Sequence, residues 1–135
     1  MFLLDTNICI YIIKKKPVEV FNKLKALSIG DAKISSITVA ELYFGAYNSQ
    51  FIEKNLKIVE SFLIPFDIIG FDEKCAVGYG KIKSILKREG NIIGELDMQI
   101  ASVALANGLV LVTNNEKEFK RIKGLKVENW VKKRP

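Results

Sequence analysis

One segment constrains the fold of this chain more than any other: the run Leu-Val-Leu-Val at residues 109–112, which contains no polar residue. A strand covered on one face alternates apolar and polar residues, whereas an unbroken apolar run is typical of a central parallel strand covered on both faces. Gly108, directly before the run, is suited to end the preceding helix, because glycine readily adopts the left-handed backbone found at helix C-termini. The segment therefore predicts an α/β fold.

Short apolar runs alternate with helical patterns along the rest of the chain. The pattern predicts strands at 2–4, 33–37, 65–69, 109–112 and 126–128, and helices at 7–13, 20–27, 38–47, 52–63, 73–89, 95–107 and 116–121. Strands that alternate with helices indicate an α/β sandwich with a mostly parallel central sheet. No repeat or linker-like stretch divides the 135 residues, so we expect a single domain over 1–135.

The composition excludes several kinds of chemistry. The chain contains no histidine and only two cysteines, Cys9 and Cys75, which excludes Ser-His-Asp and Cys-His catalysis and Cys/His zinc sites. The 21 Lys and Arg residues against 15 Asp and Glu residues give a net charge of +6, which favours a polyanionic partner such as nucleic acid. No signal peptide and no apolar run of membrane-spanning length is evident, so we expect a cytoplasmic protein with no membrane contact.

Polar residues follow the predicted strands where parallel strands end, which is where open α/β sheets place their sites. These residues are Asp5, the pair Thr38 and Glu41, and Thr113 with Asn114 and Asn115; Asp97 lies in the first turn of the helix that precedes strand 109–112. Clustered carboxylates repel one another and normally require a cation. Without histidine or thiolate ligands, an all-oxygen site favours Mg²⁺ or Mn²⁺.

Each of these residues also has a purely structural explanation. Asp5 can cap the first helix, and Thr38 with Glu41 matches a capping box. Asp97 can complement the dipole of its helix, and residues 115–118 match a second capping box. The residues alone leave both explanations open.

Four segments, taken in order, resemble the motifs of PIN-domain ribonucleases. They are LDTN at 4–7, SITVAEL at 36–42 followed by Gly45, GELDMQIA at 94–101 and VTNN at 112–115, with KVENW at 126–130 resembling the closing segment. Their order, their spacing and the chain length are similar to the VapC toxins of type II toxin–antitoxin pairs. The resemblance implies a PIN-like three-layer α/β/α sandwich and a toxin that is a metal-dependent endoribonuclease.

The resemblance also assigns expected roles to individual residues. It implies that Asp5, Glu41 and Asp97 are the catalytic acids, that Asp5 and Asp97 bind Mg²⁺ (or Mn²⁺ in its place), and that Glu41 is a third ligand or orients the attacking water. The expected hydrogen-bonding shell consists of Thr6, Asn7, Thr113 and Asn115. Water activated by the metal would attack the phosphorus and leave 5′-phosphate ends.

One position departs from the family pattern. Many relatives carry a fourth acid where this chain has Asn115, whose amide can accept a hydrogen bond but contributes no charge. Glu116 or Glu118 could substitute for that acid, although helix capping is the role we expect for them. The departure leaves open whether one or two metal ions bind.

The expected partners are an RNA substrate and a cognate antitoxin, in a homodimer and a toxin–antitoxin hetero-oligomer. Leu42, Tyr43, Phe44 and Tyr47, together with the 51–63 helix, carry more apolar surface than one buried face needs. Part of this surface is expected to form a groove for an amphipathic antitoxin helix, and the family resemblance implies that an antitoxin arginine or lysine replaces the metal.

Two other functions compete with the ribonuclease. A catalytically weak or inactive PIN-like module that only binds RNA or protein would explain Asn115. A receiver-like phosphoacceptor also gathers acids at strand ends, but it needs adjacent acids after the first strand, and Asp5 stands alone there.

Overall fold

The computed structural model describes residues 1–133, so the last two residues of the expected domain 1–135 lie outside the described part. The strands are β1 (Phe2–Leu4), β2 (Ala32–Ser35), β3 (Asp67–Ile69), β4 (Val110–Val112) and β5 (Val127–Glu128). The helices are α1 (Thr6–Lys14), α2 (Val18–Lys25), α3 (Ser36–Tyr47), α4 (Ile52–Leu63), α5 (Glu73–Glu89), α6 (Glu95–Ala106) and α7 (Glu116–Phe119).

All pairs of neighbouring strands are parallel, and the order across the sheet is β3-β2-β1-β4-β5. The chain runs outward from β1 to β3, then crosses back to β4 on the other side of β1. Leu4 pairs with Val112, so β1 and β4 end side by side. Open parallel sheets bind ligands outside the carboxyl ends of the strands at such a reversal of order, which here places Asp5 and Thr113 together.

Helices cover both faces of the sheet. Leu3 and Leu111 point into a core formed with α5, α6 and α7, whereas Leu4 and Val112 point into a second core formed with α1 to α4. This double cover explains the unbroken apolar run of β4 and confirms the predicted three-layer α/β/α sandwich with a parallel sheet. Across residues 1–133, no helix has both the length and the apolar character needed to cross a membrane.

The junction between β2 and α3 differs from the prediction. The expected strand at 33–37 and helix start at Thr38 are wrong: β2 ends at Ser35 and α3 begins at Ser36. Ser35 is the N-cap, because its Oγ accepts a hydrogen bond from the backbone N–H of Thr38 at 3.1 Å. The capping box expected between Thr38 and Glu41 is therefore wrong, and both side chains are left for other contacts.

Candidate active site

Asp5 lies directly after β1 and is also the N-cap of α1. One carboxylate oxygen accepts from the backbone N–H of Thr6 and the other from Oγ1 of Thr113, both at 2.8 Å. The side chain is buried, and burial raises its pKa. The bonds from Thr113 and Thr6 oppose this rise, and nearby Glu41 adds to it. The structure thus holds Asp5 as a fixed, buried acid at the reversal of strand order.

Glu41 reaches the same region from the second turn of α3. Its Oε1 accepts a hydrogen bond from Oγ1 of Thr6 at 2.7 Å, although the two residues lie 35 positions apart in the chain. Thr6 therefore contacts two of the predicted acids, Asp5 through its backbone N–H and Glu41 through its hydroxyl. This contact replaces the capping interaction expected for Glu41.

Asp97 contributes the third acid from the first turn of α6. Its pKa is raised to about 6, first because burial disfavours the charged form and then because Asp5, Glu118 and Glu41 are negatively charged neighbours. The three predicted acids, together with Glu118, are therefore close enough to influence one another electrostatically.

Glu118 does not have the helix-capping role that was expected for it. Asn115 precedes α7 but its side chain makes no capping hydrogen bond; Nδ2 of Asn115 donates to Oε2 of Glu118 at 3.0 Å. The second capping box is therefore wrong, and Glu118 is instead close enough to Asp97 for its charge to raise the pKa of Asp97. Glu116, the other substitute considered, instead accepts from Nδ2 of Asn129 at 3.0 Å. Glu118 lies one helical turn after Asn115, and helical side chains lean toward the N-terminus, which was the available signal.

The remaining predicted residues divide into two groups. Thr113 donates to Asp5 and accepts from the backbone N–H of Asn115 at 2.9 Å, so it joins two parts of the site. Asn7 is exposed, and its side chain makes no hydrogen bond within the part of the chain that the structure describes. The structure therefore brings Thr6, Thr113 and Asn115 into contact with the acids, but not Asn7.

The donor set suits a hard divalent ion. Among residues 1–133, no three acidic or cysteine side chains form a group that could hold a metal by themselves. Mg²⁺ does not need such a group, because it usually binds one or two carboxylates and keeps several waters. Asp5 and Asp97 match that requirement, and the oxygens of Asp5 that accept from Thr6 and Thr113 retain lone pairs for a cation.

Replacing Asp97 by Asn is expected to stabilise the metal-free protein at pH 7.5 but not at pH 4. The raised pKa means that the folded protein binds more protons than the unfolded chain between about pH 4 and 6, so wild-type stability falls as pH rises through this window. Since Asp97 is partly exposed and solvent screens its charge, we expect the free energy of unfolding to rise by about 1 kcal/mol, which corresponds to about 4 °C in melting temperature. Thermal denaturation at both pH values measures it.

The matched control is Asp72→Asn. Asp72 caps α5, and hydrogen bonds from Cys75 lower its pKa, so its neutralisation should give no stabilisation at pH 7.5. Two results would contradict a destabilising charge at Asp97: equal melting temperatures of the wild type and the Asp97 variant at pH 7.5, or a difference between them at pH 4 as large as that at pH 7.5.

Comparison with known proteins agrees with this geometry. The family model described as PIN domain matches residues 2–125. The chain belongs to the PIN domain family. It is 45% identical over 130 residues to Ribonuclease VapC2 of Haemophilus influenzae (96% of this chain, 98% of the relative), and 43% identical over 129 residues to the tRNA(fMet)-specific endonuclease VapC of Shigella flexneri (96% and 97%).

Solved structures give the same result. The VapBC2 complex of Rickettsia felis bound to a promoter DNA fragment has a TM-score of 0.89 at 43% identity, and the DNA-bound VapBC of Salmonella typhimurium has 0.91 at 42%; each comparison covers 96% of this chain and 98% of the other. This PIN-domain chain is thus an RNA-cleaving VapC-type toxin of a toxin–antitoxin system, and an antitoxin is its partner. The two competing functions, the inactive module and the phosphoacceptor, lose their support.

Proposed function

We propose that this PIN-domain ribonuclease hydrolyses RNA with Mg²⁺ or Mn²⁺ held by Asp5 and Asp97, and that Glu41 orients the attacking water or serves as a third ligand. The observation that carries the proposal is the convergence of three carboxylates at one edge of the sheet: Thr6 hydrogen-bonds both Asp5 and Glu41, and Asp97 lies close enough to both for their charges to raise its pKa. A cation that neutralises such a cluster binds favourably. The net charge of +6 attracts the RNA polyanion.

The chain's own residues prepare this site for the reaction. Thr6 and Thr113 fix Asp5 in one orientation, and Thr6 also fixes Glu41. A divalent ion bound there lowers the pKa of bound water and balances the charge that develops on the phosphate. Glu118 places a further negative charge beside Asp97, which compensates for the neutral Asn115.

The test is RNA cleavage with and without a divalent ion, together with identification of the product ends. Two relatives, 43% and 42% identical, are named tRNA(fMet)-specific endonucleases, so initiator tRNA is the first substrate to use. Because tRNA is a cytoplasmic molecule, we also infer that the protein acts in the cytoplasm. Since similar solved structures are VapBC complexes, we infer a toxin–antitoxin hetero-oligomer built on a toxin homodimer.

The antitoxin is proposed to bind a groove beside Glu41. The groove, with a volume of about 260 Å³, lies between α1, α3 and α4 and is lined by Ile10, Ile13, Lys14, Glu41, Leu42, Gly45, Ala46, Asn55, Ile58 and Val59. Its apolar walls fit the apolar face of a helix, and Glu41 offers a carboxylate to a basic side chain of that helix. Phe44 and Tyr47 are exposed but do not line the groove, and Tyr43 packs against the core.

Replacing Ile58 by Ala is expected to weaken antitoxin binding about tenfold, because binding would bury the part of this side chain that is exposed in the free toxin. Ile52→Ala is the matched control: Ile52 lies on the same helix with similar exposure, 42% against 38%, but outside the groove. Calorimetric titration with the antitoxin measures both, and melting temperatures show that both fold. If a basic side chain of the antitoxin replaces the metal, Mn²⁺ should weaken antitoxin binding. Equal losses of antitoxin affinity in the Ile58 and Ile52 variants, or no effect of Mn²⁺ on that affinity, would contradict this location of the groove.

A further inference from the structure

A chain of three hydroxyl groups, two of them fully buried, ends at Glu41. Oγ of Ser35 lies 3.4 Å from Oγ1 of Thr38, which lies 3.0 Å from Oγ1 of Thr6, which donates to Oε1 of Glu41 at 2.7 Å. The chain joins the end of β2, the first turn of α3 and the first residue of α1. Ser35 and Thr38 are fully buried and Thr6 is partly buried, so water does not compete for the hydrogen bond between Ser35 and Thr38.

The proton positions in this chain follow from elementary valence. A hydroxyl carries one proton, and an ionised carboxylate can only accept. Thr6 gives its proton to Glu41, so Thr38 must be the donor in the contact between the two threonines. The proton of Thr38 is then used, and Ser35 must donate to Thr38, which is the direction its geometry supports. Every proton in the chain therefore points toward Glu41.

Helix capping does not account for the hydroxyl of Thr38. Ser35 caps α3 by accepting from the backbone N–H of Thr38, and a helical threonine otherwise bonds a carbonyl of its own helix. The Thr38 hydroxyl instead crosses to Thr6 on α1, 32 residues away in sequence. Hydrogen bonds in such chains strengthen one another at low dielectric, so the contribution of Thr38 reaches Glu41 through Thr6.

We propose that Thr38 is a positioning residue for the RNA-cleaving reaction: its hydroxyl fixes the proton of Thr6 toward Glu41 and so fixes the Glu41 carboxylate. The inference rests on the proposed role of Glu41. Without the Thr38 hydroxyl, the Thr6 hydroxyl loses its donor and can rotate away from Glu41, which leaves the carboxylate free to take other rotamers.

The test is a double-substitution cycle measured as RNA cleavage. Thr6→Val is expected to lower kcat about 10- to 100-fold, as removal of groups that orient ligand side chains does. Thr38→Val is expected to lower kcat about fivefold with KM unchanged, because it acts through one further hydrogen bond. In the Thr6→Val background, Thr38→Val should have no further effect on kcat. In otherwise wild-type protein, Thr38→Ser, which keeps the hydroxyl, should have the wild-type rate.

A spectroscopic measurement on metal-free protein without RNA gives an independent readout. The ¹³Cδ resonance of Glu41 should shift in Thr38→Val and should not shift further when Thr38→Val is added to Thr6→Val. Ser102→Ala is the control: Ser102 is also fully buried in a helix, but its hydroxyl donates to the carbonyl of Met98 within the same helix. It should leave both kcat and the Glu41 resonance unchanged.

Specific outcomes overturn the inference. If Thr38→Val lowers kcat by the same factor with and without Thr6, if Thr38→Ser fails to restore the rate, or if Ser102→Ala loses as much, Thr38 acts through general stability. If Thr38→Val melts below the assay temperature, the cycle is run with Thr38→Ala and judged by the same criteria. Full activity of Glu41→Gln would instead refute the proposed site, whereas an inactive Glu41→Gln beside a fully active Thr38→Val refutes only the role of Thr38.

Discussion

Replacing Asp5 by Asn is expected to reduce RNA cleavage about 1,000-fold or more, which corresponds to about 4 kcal/mol of transition-state stabilisation. Asparagine keeps the size of the side chain, and its carbonyl oxygen can still accept from the N–H of Thr6. Its amide nitrogen, however, would face Thr113 in place of a carboxylate oxygen. The variant therefore removes a negative charge from the site while most of the local packing is retained.

Asp97→Asn is expected to cause a loss of similar size, because Asp97 is the second of the two carboxylates proposed to hold the metal directly. The matched control is Asp67→Asn. Asp67 is the first residue of β3, so it lies at the amino ends of the strands, whereas Asp5 lies at their carboxyl ends. Its exposed carboxylate forms an ion pair with Lys33. Cleavage of initiator tRNA by the purified variants measures all three. Activity near the wild-type rate in the Asp5 or Asp97 variant would refute the assignment of the metal ligands.

The fold was predictable where a local pattern has only one physical solution. The apolar run at 109–112 fits only a strand covered on both faces, and the structure places Leu111 and Val112 in two separate cores. The start of α3 has two local solutions, since Ser35 and Thr38 are both good N-cap residues. The choice between them depends on β2 ending at Ser35, where the strand stops pairing with β3. That is a tertiary constraint, which periodicity does not contain.

The site was predictable to the same extent. The strand-end rule alone places Asp5 and Thr113 together, because β1 and β4 are neighbours in any sheet that reverses order between them. The contact of Glu41 with Thr6 depends instead on how α1 packs against α3, and the influence of Glu118 on Asp97 depends on how α7 lies relative to α6. Both contacts join residues that are distant in the chain, so capping patterns, which are local, suggested different partners for them.

The fourth acidic position of the family pattern, occupied here by Asn115, could be interpreted only with the structure. The family resemblance implies an acid where this chain has Asn115, and the sequence left open whether Glu116 or Glu118 substitutes for it. In the structure the amide of Asn115 donates a hydrogen bond to the carboxylate of Glu118, and the charge of Glu118 contributes to the raised pKa of Asp97. We therefore propose that Glu118 supplies this negative charge from one helical turn further along, and that the hydrogen bond from Asn115 orients its carboxylate.

Removal of divalent ions is expected to abolish cleavage completely. Treatment with EDTA should stop the reaction, and added Mn²⁺ or Mg²⁺ should restore it, because the proposed route depends on a cation that Asp5 and Asp97 would hold. Asp5→Asn protein purified in the same way is the control for contaminating nucleases. Restoration by Mn²⁺ in the wild type but not in this variant would locate the requirement for the ion at the proposed site.

The ends of the products test the chemical route separately. The chain has no histidine to deprotonate a ribose 2′-hydroxyl, and water oriented by Glu41 attacks the phosphorus directly in the proposed mechanism. We therefore expect 5′-phosphate and 3′-hydroxyl ends, identified by phosphatase sensitivity and mass spectrometry of the tRNA fragments. A 2′,3′-cyclic phosphate would show that the ribose hydroxyl is the nucleophile. In that case Asp5 and Asp97 would serve to bind the RNA backbone through a cation, and the attacking group would belong to the substrate.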